Sequence, residues 1–145
     1  MKGMSSIVKK TTQLLSGLVF LYGIYIITHG HLTPGGGFAG GTIIAASLFL
    51  LVLAFGSDEL TIVKRKEGSS VTESLAILAF LLFGTFALII GTNIFFHNYL
   101  PKGITGDLIS AGIIPVYNIL VGIEVAAALF TIILAFIIYK EDISK

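Results

Sequence analysis

No cysteine occurs among the 145 residues, which excludes a disulfide framework, thiolate metal sites and any cysteine nucleophile. Charge is also scarce: Asp, Glu, Lys and Arg make up 12% of the chain, against about 25% in an ordinary soluble domain. Nine Lys and Arg stand against eight Asp and Glu, so nothing in the charge balance points to nucleic acid as a partner. The chain also lacks an internal repeat, a low-complexity tract, a Walker sequence, a usable Ser-His-Asp constellation and a cluster of carboxylates with His that would hold a metal. It is therefore expected not to be an enzyme and to need no cofactor. Apolar residues are plentiful: 55% of the chain is hydrophobic and 17 residues are glycine, leaving about a third for everything polar, too little to cover a surface in water. Lipid is the solvent that remains.

Four stretches are apolar for long enough to cross a hydrocarbon core of about 30 Å, which takes roughly 17 to 25 helical residues. They run from about Thr12 to Thr28, Phe38 to Phe55, Leu75 to Phe96 and Val116 to Tyr139. Unbroken blocks such as Ser74 to Gly91 suit helices, which satisfy their own amides in lipid, rather than the alternating strands of a barrel. The expectation is an all-α polytopic fold, a single membrane domain over residues 1–145. Lys2, Lys9 and Lys10 before the first run also resemble the start of a signal peptide, but His29-Gly30-His31 stands where a small-residue cleavage site would be needed, so this span is expected to be retained. Alternating sides gathers Lys2, Lys9, Lys10, Lys64, Arg65, Lys66, Lys140 and Lys145 on one face and leaves Lys102 opposite. The positive-inside tendency then puts both termini and the connection from Ser57 to Thr72 in the cytoplasm. Gly84 with Gly91, Gly41 with Ala45 and Ala128 with Ala135 have the spacing of close helix contacts.

Six glycines crowd the segment from His29 to Gly41, a run expected to form a tight external connection bending back toward the membrane rather than a simple helix. Thr33 and Pro34 are the expected cap and first-turn residues of the second helix. Gly35, Gly37 and Gly40 match a dinucleotide-binding spacing, but the apolar run that follows has no polar face for a Rossmann helix. His29 and His31 at the membrane edge are placed to titrate near physiological pH or to bond loop carbonyls, and they are too few to make a zinc site.

Glu124 lies eight residues after Val116 and fifteen before Tyr139, at a depth where an ionised side chain must face protein or water. Tyr117, Glu124 and Thr131 recur every seven residues and share one helix face. This stripe reads either as an ion path, in which the carboxyl handles a proton or cation, or as a place where the carboxyl pairs with another subunit. Thr85, Thr92, Asn93 and Asn118 are expected to hydrogen-bond between helices. The apolar run from Leu108 to Ile114 is too short to span and is expected to lie on the bilayer edge before Pro115 opens the last helix.

The run Tyr25-Ile-Ile-Thr-His-Gly-His-Leu-Thr-Pro-Gly-Gly-Gly-Phe-Ala-Gly-Gly41 before an apolar helix resembles the hallmark of the MnhB family, a small component of the Mrp multisubunit sodium/proton antiporters of prokaryotes. Ile114-Pro-Val-Tyr-Asn-Ile-Leu-Val-Gly-Ile-Glu-Val125 is similar to that family's last-helix pattern, with Pro115, Asn118, Val121, Gly122 and Glu124 in the matching places. The resemblance covers nearly the whole chain. It implies a small subunit of a large cytoplasmic-membrane complex that exports sodium in exchange for protons, with other antiporter subunits and lipid as its partners. It also implies structural roles for Pro34, Gly35, Gly36, Gly37, Gly40, Gly41 and Asn118. Ion-path candidates are Glu124, Tyr117, Thr131, His29 and His31; the alternatives are a purely structural assembly subunit or a small homo-oligomeric channel.

Overall fold

A computed structural model describes residues 3–56, 66–90 and 94–143. It contains four helices, α1 (Ser6–Thr28), α2 (Gly36–Phe55), α3 (Lys66–Ile89) and α4 (Ile114–Ile143), and no strand among the described residues. Each holds a segment long and apolar enough to cross a membrane: Ser6–Thr28, Gly36–Phe55, Gly68–Ile89 and Ile114–Tyr139. The chain is an all-α, multi-pass membrane protein. Its outer surface agrees, since Leu14, Leu18, Phe136 and Ile89 are 60–78% exposed, a distribution that is costly in water and natural against lipid tails.

In space the helices follow the order α1, α2, α4, α3, and α1 also touches α4. The start of α1 is tied to the end of α2: Met4 N–H donates to Ala54 O at 2.8 Å, and Lys9 Nζ sits 5.4 Å from the centre of the Phe55 ring. Near this terminal end Val52, Phe130, Leu134 and Ile137 form a buried cluster backed by Leu48 and Ile133.

The glycine-rich run is not one external connection. A turn over residues 29–35 is closed by Leu32 N–H and Thr33 N–H donating to His29 O at 2.8 and 2.9 Å, after which residues 36–41 are already helical. Thr33 is not the cap, because its hydroxyl also donates to His29 O. The N-cap is Gly35, at φ 143°, followed by Gly36 at φ 80°; the chain reverses here through backbone angles that side chains other than glycine's resist.

The third helix differs most from expectation. It begins at Lys66 and ends at Ile89, instead of spanning Leu75 to Phe96, so residues 66–72 are helix and not connection. Beyond it, Phe96 at φ 60° folds back, its N–H donating to Gly84 O at 3.2 Å and its ring resting 5.2 Å from Phe80. Asn98 Oδ1 then accepts from Leu100 N–H and from Ile113 N–H, at 3.2 and 3.1 Å, clipping the connection to the start of α4. Pro115 falls in the first turn of α4. Gly91, Thr92, Asn93 and the segment 57–65 lie outside the described residues.

Candidate functional site

The last helix is shared by two unlike interfaces. Toward α2 the packing is backbone against backbone: a Cβ on Gly41 would lie 2.6 Å from Gly122 O, and one on Gly37 would collide with Asn118 O. Gly40 faces α1 instead, where a Cβ would stand 2.7 Å from Gly23 O. Glycine at these positions lets three helices approach as closely as their main chains allow, which is how apolar helices attract in lipid. Asn118 sits at the top of this knot, beside Gly30 and Gly36, with its Nδ2 buried and unpartnered among the described residues. Of the expected contact pairs, Gly41 and Ala45 are buried, Gly84 packs under the Phe96 ring, and Ala135 is exposed.

Toward α3 the packing is looser and polar groups appear. Tyr117 meets Phe80 and Phe96, with ring centres 5.0 and 5.4 Å apart. Seven residues on, partly buried Glu124 lines a cavity of about 190 Å³ with Ala76, Ile77, Phe80, Leu120 and Val121. A further seven residues on, Thr131 Oγ1 lies 2.7 Å from Ser69 Oγ, and both hydroxyls reach Ala127 O, at 2.8 and 2.9 Å. The stripe expected from the seven-residue spacing thus forms one seam against α3. The hydroxyls of Tyr117 and of nearby Tyr99 are buried without a partner among the described residues.

The two histidines do not join this seam. His29 Nδ1 donates back to Tyr25 O at 3.1 Å, with its ring 4.1 Å from the Tyr25 ring. His31 Nε2 donates to Asp107 O at 3.4 Å, the carbonyl being able only to accept, and its Nδ1 is buried and unpartnered among the described residues. Among the described residues no three His, Asp or Glu come together as a metal site. A larger apolar groove of about 740 Å³, walled by Phe20, Ile24, Ile44, Ile123 and Phe130, opens between α1 and α3, and Glu124 does not line it.

Glu73 is missed by a sequence reading that starts the third span after it. The structure puts it in α3, inside the span Gly68–Ile89 and partly buried. The signal that would have found it is the spacing of Ser69, Glu73, Ala76 and Phe80, which is the stripe α3 turns toward α4.

Residues 7–131 match the domain described as related to the MnhB subunit of Na+/H+ antiporter. The chain belongs to the MnhB family. Over 122 residues, 81% of this chain and 46% of the relative, it is 40% identical to Uncharacterized protein MJ1307 of Methanocaldococcus jannaschii. Over 59 residues, 41% of this chain and 42% of the relative, it is 36% identical to the Putative antiporter subunit mnhB2 of Staphylococcus aureus. The matched part therefore spans less than half of these relatives. Among solved structures, a chain of the membrane-bound sulfane sulfur reductase, an archaeal respiratory membrane complex, superposes with a TM-score of 0.78 at 35% identity, covering 92% of this chain and 58% of that one.

Proposed function

We propose that this MnhB-family chain is an integral subunit of a multisubunit Na+/H+ antiporter of the Mrp type, a transporter component of the cytoplasmic membrane rather than an enzyme. In this reading it is one membrane domain with both termini in the cytoplasm, embedded among other antiporter subunits and lipid. The α3–α4 seam contributes to the path of protons or sodium ions. The observation that carries the reading is Glu124: a carboxyl inside a membrane span, turned toward α3, beside a cavity and between the hydroxyls of Tyr117 and Thr131. An acid at that depth is costly unless it has company or a task.

Glu124→Gln in the intact assembly tests it, scored for complex integrity on a native gel and for sodium-driven pH change in vesicles. An intact but inactive complex supports the ion path. Full assembly with normal transport refutes it, and dispersal of the complex assigns Glu124 to assembly. A second reading, in which the chain serves an antiporter-like module of a respiratory complex, is favoured by the 35% identity and 0.78 TM-score to the sulfane sulfur reductase chain. Proton movement that persists without sodium would select it.

A further inference from the structure

We propose that the apolar groove between α1 and α3 binds the hydrocarbon chains of an anionic membrane lipid, with Lys10 and Lys66 holding its headgroup at the terminal end. The site rests on the four-helix membrane fold and not on Glu124, which does not line the groove. Ile123 and Ala127 of α4 form its floor, Phe20 and Ile24 of α1 one wall, and Gly68 and Thr72 at the start of α3 the other. The three hydroxyls on its walls are already committed inward: Thr28 donates to Ile24 O at 3.1 Å, Ser69 to Ala127 O at 2.9 Å and Thr72 to Gly68 O at 2.8 Å. An occupant needs to supply no hydrogen bond there, which suits hydrocarbon.

The groove is too narrow for a helix of a neighbouring subunit. It runs beside α4 from Ile119 to Phe130, which is about 16.5 Å at about 1.5 Å per residue. Spread over that length, its volume of about 740 Å³ gives a mean cross-section of about 45 Å², about half that of a helix 10 to 12 Å across. Hydrocarbon chains are slimmer and bend to the space, whereas leaving it unfilled would forfeit the dispersion contacts of its lining.

Selection has to come from the headgroup, because lipid tails are as apolar as leucine and gain little by exchanging one apolar surface for another. On α1, Ile24, Gly17 and Lys10 recur every seven residues and share a face. Gly17 is exposed, with nothing within 4 Å of its Cβ position, so this wall stays open from Ile24 to the exposed Lys10. On the opposite wall Lys66 begins α3, two residues before Gly68. At this end α1 and the first turn of α3 carry Lys9, Lys10 and Lys66 against Glu67 alone. Basic residues on two helices at the membrane surface complement a lipid phosphate that carries a net negative charge.

The test is photolabelling of the intact complex in vesicles with a phosphatidylglycerol that carries a diazirine at its chain end, against the same probe built on phosphatidylcholine, with the labelled residues located by mass spectrometry. The phosphatidylglycerol probe should label Ile123 and Ala127, and unlabelled phosphatidylglycerol should compete at far lower concentration than phosphatidylcholine. K10Q/K66Q should cut that preference by about 30-fold, the product of about five-fold for each lysine near a membrane surface. I123W, which fills the groove, should abolish labelling there and leave the outward-facing Leu18 and Phe136 labelled. Should I123W fail to assemble, T72F fills the same space from the α3 side. Groove residues that stay unlabelled while Leu18 is labelled overturn the proposal and assign the groove to a neighbouring protein chain. Equal labelling by the two probes, or a preference unchanged in K10Q/K66Q, overturns it as well, leaving ordinary lipid contact with no headgroup site. None of these outcomes depends on transport by Glu124→Gln, so the lipid site and the ion path stand or fall separately.

Discussion

Replacing Gly41 and Gly17 by alanine should change stability in opposite directions, although both glycines are helical and the chemistry is the same. At Gly41 the new Cβ would stand 2.6 Å from Gly122 O, 3.0 Å from Val125 Cβ and 3.2 Å from Ala126 N. Two of these three atoms are main chain and cannot rotate away. Restoring an ordinary 3.4 Å contact to the carbonyl opens the α2–α4 interface by about 0.8 Å, a gap that forfeits a quarter to a half of the dispersion energy at each contact affected. Overpacking of this kind costs about 1 to 3 kcal/mol, and the rigid backbone puts Gly41→Ala at about 3. At Gly17, an exposed position on α1, nothing lies within 4 Å of the new methyl. There the lost backbone freedom of glycine is the main term, and Gly17→Ala should stabilise by up to about 1 kcal/mol. The two variants should differ by about 3 to 4 kcal/mol, roughly 160-fold to 900-fold in the folding constant. Graded unfolding with SDS in mixed micelles, followed by helicity and by proteolysis, measures the difference. Equal effects at the two sites, or a neutral Gly41→Ala, would refute the close-packed glycine interface.

Thr131→Val keeps the side-chain shape but removes a hydroxyl bonded to Ser69, so it should cost about 0.6 kcal/mol, with little added cost once Ser69→Ala is present; a double-mutant cycle in micelles reads the coupling. Asn98→Ala strips the acceptor from two N–H groups, one on the 2%-exposed Ile113, and should cost about 1 to 3 kcal/mol while speeding amide exchange at Ile113. Tags on both termini should be reachable only from the cytoplasmic side, as the lysine distribution requires; labelling of either terminus from outside intact cells would reverse the orientation.

Three of the helices are legible because lipid turns hydropathy into a measure of length. Thr28 ends α1 and Phe55 ends α2 where the apolar runs themselves stop, and Pro115 marks the start of α4. The third helix is misplaced for the same reason. Its first turns carry Glu67, Ser69, Ser70, Thr72, Glu73 and Ser74, which in a hydropathy reading look like connection, while Ile94, Phe95 and Phe96 look like span. In the structure the polar turns are helix, with Ser69 directed at Ala127 and Thr131, and Phe96 belongs to a segment that folds back over Phe80 and Tyr117. Hydropathy registers what a residue prefers to touch, not whether the chain continues straight. The glycine run is half legible: the turn at Gly35 and Gly36 needs positive φ, as such a cluster suggests. Gly37, Gly40 and Gly41 serve a helix whose neighbours leave no room for a methyl group, and that cannot be seen without the neighbours.

The two faces of α4 bear on where motion during turnover can occur. Its contact with α2 has no slack, since at Gly37 and Gly41 main chain already meets main chain, and interfaces packed in this way shift as rigid units. Its contact with α3 rests on aromatic edges, one hydroxyl cluster and a cavity of about 190 Å³, and α3 has few other attachments in the bundle. Displacement of α3 against a fixed α1–α2–α4 unit therefore breaks fewer contacts than any other relative movement of these helices. Glu124 lies on that looser boundary, beside the cavity it shares with Ala76, Ile77 and Phe80, and not on the close-packed one. A spin-label pair across α3 and α4 in the assembled complex should accordingly show a broader distance distribution than a pair across α2 and α4, and equal widths would remove the mechanical distinction between the two faces.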